Sequence, residues 1–264
     1  MAKLQEVLQY MQQLAPETLA EDWDNVGLLV GDPDREVSRV LVALDITEDV
    51  AAEALEKHCQ LIVAHHPVMN CKWLPVQTLR EDTPQGRLLR RMVREDLAGI
   101  CMHTNLDAAE GGVNDALAEA LGVVDPGPLT PESIGRTGTL SCGPVPLGKF
   151  VKRVSAALSC NGLRYADAGK PVHRVAVGGG ACGEYMDLAI AAGCDTFVTA
   201  DLSYHQFLDA KPKGINVIDA GHFPTEDVVC PVILSELRKR FPALYLEKSA
   251  SHREVIQYYV EGEA

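Results

Sequence analysis

Residues 61–68 read LIVAHHPV: four apolar residues, two adjacent histidines, and a proline that fixes φ and removes a backbone donor. An uninterrupted aliphatic run of this length suits a strand covered on both faces, as in a parallel sheet. His65 and His66 then fall at the carboxyl edge of that strand, where open α/β sheets bind ligands. Neighbouring strand residues point to opposite faces. Two adjacent imidazoles therefore serve one ion only where the chain bends, or serve two ions side by side, and Pro67 favours a bend. The plain alternative is a pair of loop histidines satisfied locally.

The same pattern recurs along the chain. Short β-branched runs at 37–43, 61–64, 100–103, 174–177, 196–200 and 215–218 alternate with helical stretches such as those at 48–58 and 85–96. This predicts an α/β fold of two similar lobes with mainly parallel sheets. The Pro- and Gly-rich run at 125–138 is the candidate boundary, giving lobes 1–127 and 128–264. A weak internal repeat supports two lobes. The strand–loop–helix–strand segment at 38–66 resembles that at 173–201, and extending the match sets Asp107 opposite His222.

Composition narrows the partners. The formal net charge of −13 argues against tight binding to DNA, because phosphate contacts need clustered Lys and Arg. No window holds the ~18 apolar residues of a membrane span. The N-terminus spaces Leu4, Val7, Leu8, Met11 and Leu14 as a helix and not as a signal peptide, so a cytoplasmic location is expected. Cys59, Cys71, Cys101, Cys142, Cys160, Cys182, Cys194 and Cys230 form no CxxC pair and read as buried free thiols.

Ligand-type residues gather at three separate strand ends. Asp107 follows the strand at 100–103, and His222 and Glu226 stand four apart, on one face of the helix that DAGHFPTED opens. Taken singly, Asp107 reads as a helix cap and Glu226 as a first-turn carboxylate complementing the helix dipole. Together, three imidazoles and two carboxylates are too many for one four-coordinate ion. They suit two ions ~3.5–4 Å apart joined by a bridging carboxylate. Imidazole donors favour Zn, Mn, Fe, Co or Ni over Ca or Mg.

Three further features stay open. Asp201 and His205, also four apart, suit contacts to substrate or to the ligands, or else an N-cap and a surface histidine. His103 either supports Asp107 or packs in the core. Gly178-x-Gly180-x-x-Gly183 opens a helix after a strand, which fits a dinucleotide fingerprint, an anion site at a helix N-terminus, or simply a tight turn. Asp24 and Asn25 in WDNVG read as turn formers.

The motifs EDWDNVGLLVGD, VAHHPV, MHTNLDAAEGGVND and DAGHFPTE, in this order over essentially the whole chain, resemble the NIF-three-like dinuclear-metal family, labelled GTP cyclohydrolase 1 type 2 homologs. The resemblance implies that His65, His66, Asp107, His222 and Glu226 ligate two divalent transition-metal ions, with Glu226 bridging. It implies a two-lobed α/β fold with the metal site at strand ends between the lobes, and a toroidal homohexamer built as a trimer of dimers. The segment at 125–171 is too short for the extra domain that some relatives carry. The function so implied is metal-dependent hydrolysis of a small nucleotide-like or phosphorylated substrate, GTP ring opening included. The alternative is a non-enzymatic metal-binding ring that stores metal or scaffolds partners.

Overall fold

In the computed structural model, which describes residues 1–69 and 78–259, the run at 61–64 is fully buried, as a two-faced strand must be. Chain order begins with β1 (Ala2–Lys3), α1 (Leu4–Leu14), β2 (Gly27–Val30), β3 (Glu36–Val37), β4 (Arg39–Ala43), α2 (Glu48–Glu56), β5 (Leu61–Ala64), α3 (Pro84–Arg94), β6 (Ala98–Cys101) and α4 (Thr104–Ala108). It continues with α5 (Val113–Leu121), β7 (Val123–Pro128), β8 (Arg136–Leu140), α6 (Leu147–Ala157), β9 (Arg164–Ala166), β10 (Arg174–Val177), α7 (Met186–Ala191), β11 (Thr196–Thr199), α8 (Tyr204–Lys213), β12 (Asn216–Asp219) and α9 (His222–Glu226). It closes with α10 (Val229–Arg240) and β13 (Tyr245–Lys248).

These elements form two compact units. The first comprises Met1–Gly112 and Val229–Arg253, and the second Val113–Val228 with the described residues that follow Arg253. The expected division at residue 127 therefore shifts, for two reasons of pairing. β7 crosses that position and pairs with β8, Val123 opposite Leu140, so it belongs to the second sheet. β13 returns to run parallel to β4, Tyr245 opposite Arg39, and carries the last helix and strand into the first unit.

The first unit holds a five-stranded sheet in the order β13-β4-β5-β6-β2, parallel except for β2. One face is closed by Val50, Ala51 and Ala54 of α2 and Leu88, Leu89 and Met92 of α3, packed on Ile62 and Ala64. Both helices start where the sequence supplies a cap: Thr47 Oγ1 accepts from Val50 N at 3.2 Å, and Thr83 Oγ1 from Gly86 N at 3.1 Å. In the second unit the order is β7-β8-β10-β11-β12-β9. Here only β10, β11 and β12 run parallel, so the expectation of mainly parallel sheets gives way to a mixed one. β7, β8 and β9 join antiparallel, and β7, with Pro126 and Pro128, takes an edge position as proline requires. These strands and α6 account for the segment at 125–171 within the second unit.

Cys59, Cys101, Cys182, Cys194 and Cys230 are buried free thiols. Burial pushes the Cys101 thiol up to about 12, which keeps it unreactive. Cys142 is exposed in the turn after β8 and Cys160 is half-buried, which corrects the expectation for those two. Cys71 lies outside the described residues.

Glu53 fastens the returning segment. Its side chain, 6% exposed, accepts from Ser249 Oγ at 2.6 Å, Ala250 N at 3.0 Å, Ser251 N at 3.0 Å and Lys57 Nζ at 2.7 Å. Burial pushes this carboxyl up, but the donors together outweigh it and bring it from 4.5 to about 2. A depressed carboxylate stabilises the fold above its unfolded value and loses that contribution as pH falls toward the folded one. Glu53→Gln should cost about 2–3 kcal/mol at pH 7 and much less near pH 2–3. Denaturant unfolding at both pH values checks this, and an equal cost at both would contradict it.

Candidate metal centre

In the first unit, the bend at the histidine pair is visible in the backbone. His65 N and His66 N both donate to the single carbonyl of Leu44, at 3.1 and 2.9 Å, so β5 ends there and turns. The two rings come to 4.9 Å between centroids with planes 43° apart, instead of pointing to opposite faces. β6 ends level with β5, Ala64 opposite Cys101, which brings Met102 and His103 alongside. The ring nitrogens of His65, His66 and His103 offered as ligands all lie within 4.8 Å of one another. Asp107, on α4, places Oδ1 at 3.6 Å from His65 Nε2.

Each of these imidazoles is oriented through Nδ1. His65, wholly buried, donates Nδ1–H to Met102 O at 2.8 Å. A carbonyl can only accept, so Nε2 keeps the lone pair. His66 Nδ1 meets Asp45 Oδ1 at 2.8 Å, and His103 Nδ1 meets Asp24 Oδ1 at 2.9 Å. Asp24 also accepts from Thr104 N at 3.0 Å and Thr104 Oγ1 at 2.5 Å. Burial pushes the Asp24 carboxyl up, yet His103 and Thr104 outweigh it and hold it far below the carboxylate range. Asn25 anchors the same turn, its Nδ2 donating to Met69 O at 2.7 Å. Asp24 is thus no mere turn former: it fixes the tautomer of His103.

The second unit carries its own set. β12 ends at Asp219, and α9 begins three residues later with His222. His222 Nε2 lies 3.1 Å from Glu226 Oε2, one helical turn on, while Nδ1 lies 2.6 Å from Asp201 Oδ2. Burial pushes the His222 imidazole down, but Asp201 and Glu226 outweigh it and lift it to about 11. The negative field that raises its proton affinity equally favours a metal cation. Asp201 sits outside α8, which Ser203 caps, and takes φ +53°, a left-handed conformation that aims its carboxylate at His222. Asp201 and His205 do not share a helical face, then. His205 lies exposed in the first turn of α8, edge-on to Tyr204 at 5.5 Å between centroids.

The glycine run forms the wall of this set. A Cβ at Gly180, whose φ is +62°, would sit 2.2 Å from Glu226 Oε1 and 3.1 Å from His222 Nε2. Four amides of the run are committed within the protein: Gly178 N to Val198 O, Gly179 N to Asn114 Oδ1, Gly180 N to Thr225 Oγ1 and Cys182 N to Thr199 Oγ1. An anion there would also face the Glu226 carboxylate. The loop packs as a tight turn against Glu226 and His222.

Imidazoles held at Nδ1 by a carbonyl or carboxylate, with Nε2 turned toward a further carboxylate or imidazole, are the donor arrangement of protein sites for divalent transition metals. His65, His66 and His103 of the first unit fit such an ion, and His222 and Glu226 of the second supply two further donors of the same kind. Asp45, His252 and the Met102 carbonyl were not among the residues expected from sequence. Asp45 lies two residues past β4, at a strand end as His65 and Asp107 do, and that shared position is the signal that marks it.

Two α/β units whose strand ends present imidazole and carboxylate donors define a candidate metal-binding α/β protein. The chain belongs to the DUF34/NIF3 (NGG1p interacting factor 3) family, whose model matches residues 2–254. It is 34% identical over 245 residues to a Clostridium perfringens protein named GTP cyclohydrolase 1 type 2 homolog, covering 90% of this chain and 92% of that one. A Staphylococcus aureus hypothetical protein of known structure is 27% identical, with a TM-score of 0.88 over 97% of this chain and 99% of that one. A Bacillus cereus protein related to NIF3 shares the fold at a TM-score of 0.90 and 23% identity, over 98% of this chain and 99% of the other. Among the described residues no helix is long and apolar enough to cross a membrane.

Proposed function

We propose that His65, His66, Asp107, His222 and Glu226 together hold two divalent transition-metal ions, with Glu226 bridging, and that the protein is a hydrolase of a small nucleotide-like or phosphorylated substrate. The observation that carries this reading is the shared Nδ1 anchoring of His65, His66, His103 and His222, each to one carbonyl or carboxylate group. Such anchoring sets tautomer and ring direction in advance, which a site must do to bind metal without reorganising. A bound pair of ions supplies Lewis-acid polarisation and brings a water molecule to ionisation near neutral pH.

The chain's own residues do the rest. Asp201 holds the Nδ1 proton of His222, so that Nε2 is the ligand atom. Asp24 does the same for His103, whose Nε2 is left to accept from a substrate group. The name that relatives carry makes hydrolytic opening of a guanine nucleotide ring the specific activity to try first. Assembly as a hexameric ring of three dimers belongs to the same proposal.

Turnover of the metal-loaded protein against a panel of nucleotides and phosphoesters tests it. Activity should need bound metal and fall at least 100-fold in His65→Ala, His66→Ala and Asp107→Ala, the size of effect expected when a metal ligand is lost. Asp201→Asn should lower the rate while retaining more of the metal. Full activity in chelator-treated protein would eliminate the hydrolase reading; a metal-loaded chain inactive across the panel would favour the storage or scaffold role.

A further inference from the structure

His66 is steadied by a residue from the far end of the chain. Asp45 Oδ1 accepts from His66 Nδ1 at 2.8 Å, and its Oδ2 accepts from His252 Nε2 at 2.8 Å. An ionised carboxylate only accepts, so both ring nitrogens that face it carry protons and His66 is left with Nε2 as its lone-pair atom. The His252 side chain is 11% exposed. Its backbone N donates to Ser249 Oγ at 3.2 Å, and that hydroxyl donates to Glu53 at 2.6 Å. The path Glu53, Ser249, His252, Asp45, His66 lies wholly within the first unit. Burial pushes the Asp45 carboxyl up, and the two imidazoles outweigh it and hold it far below the usual range. Asp45 is 38% exposed, so without His252 one of its oxygens would turn to water and the carboxylate would be free to swing.

We propose that His252 is a positioning residue: by occupying Oδ2 of Asp45 it locks the carboxylate that sets the tautomer and ring direction of His66. The segment after β13 thereby tunes metal affinity at the histidine pair. The inference rests on the metal-site reading above. Removing the hydrogen-bond partner of a ligating histidine typically costs 10–100-fold in metal affinity. His252 acts one bond further out, so about tenfold is expected.

The test uses the full chain, stripped with chelator and titrated with Co²⁺ while its visible absorption is followed. His252→Ala should weaken cobalt binding about tenfold and alter the ligand-field bands, whereas His252→Gln, which keeps an N–H donor, should recover to within about threefold of the parent chain. Melting temperatures of the two stripped variants should agree with each other. Nitrogen-15 NMR of the stripped proteins adds a readout that needs no metal. The His66 ring should be protonated at Nδ1 in the parent chain and a mixture of tautomers in His252→Ala. Unchanged cobalt affinity in His252→Ala, equal weakening in both variants, or an unchanged His66 tautomer would each overturn the proposal. Failure of the parent chain to bind cobalt at all would refute the metal-site reading itself, and this proposal with it.

Discussion

Gly180→Ala should unsettle the second unit's donor set more than its size suggests. Two costs add. The backbone at φ +62° is left-handed, and an L-residue there costs about 1 kcal/mol. A Cβ would also lie 2.2 Å from Glu226 Oε1, so the buried carboxylate has to leave its place or the loop has to move. A destabilisation of about 2–4 kcal/mol is expected, with metal affinity down at least tenfold. Gly193→Ala is the control. Gly193 has φ +76° with nothing within 4 Å of its Cβ position, so that variant carries only the backbone cost. Denaturant unfolding and metal titration of both variants decide the matter. If both lose the same stability and both keep full metal affinity, Gly180 is a turn residue and no wall.

Glu226→Gln should separate metal binding from folding. The change keeps size and shape and removes one negative charge from a side chain 5% exposed. A bridging carboxylate serves both ions, and a neutral amide is a poor substitute. At least one ion should be lost per chain, and turnover should drop by two orders of magnitude or more. The stripped proteins should differ by only about 1 kcal/mol, since His222 loses a charged partner while the helix is spared a buried charge. Elemental analysis and unfolding of the same preparations check both halves. A variant that retains its metal in full would remove Glu226 from the ligand set.

How far the sequence could be read follows from the range of the interactions involved. β5 and β10 stand at the residues expected, 61–64 and 174–177, because uninterrupted aliphatic runs are a local signal. The histidine bend was legible in Pro67, though the shared Leu44 carbonyl that makes it was not. The unit boundary was misjudged because β13 pairs with β4 across some two hundred residues, and nothing in the Pro- and Gly-rich run at 125–138 reports that. The glycine motif stays open in the sequence for a different reason: tight packing against Glu226 and a phosphate cradle ask for the same small residues at the same spacing. Asp201 and His205 stand four apart, a helical spacing, but the cap is Ser203, which leaves Asp201 outside the helix and turned toward His222. Asp24 and Asp45 act through hydrogen bonds to histidines 79 and 21 positions away, and His252 through one to Asp45, 207 positions away. Such partners become visible only once the strands are in register.

The number of bound ions is the most direct test of the proposed metal site. Elemental analysis of the full chain, reconstituted with a divalent transition metal and freed of excess by gel filtration, measures it directly. Close to two ions per chain are expected, falling by at least one in Glu226→Gln; a single ion per chain, or none, would refute the proposed two-ion site.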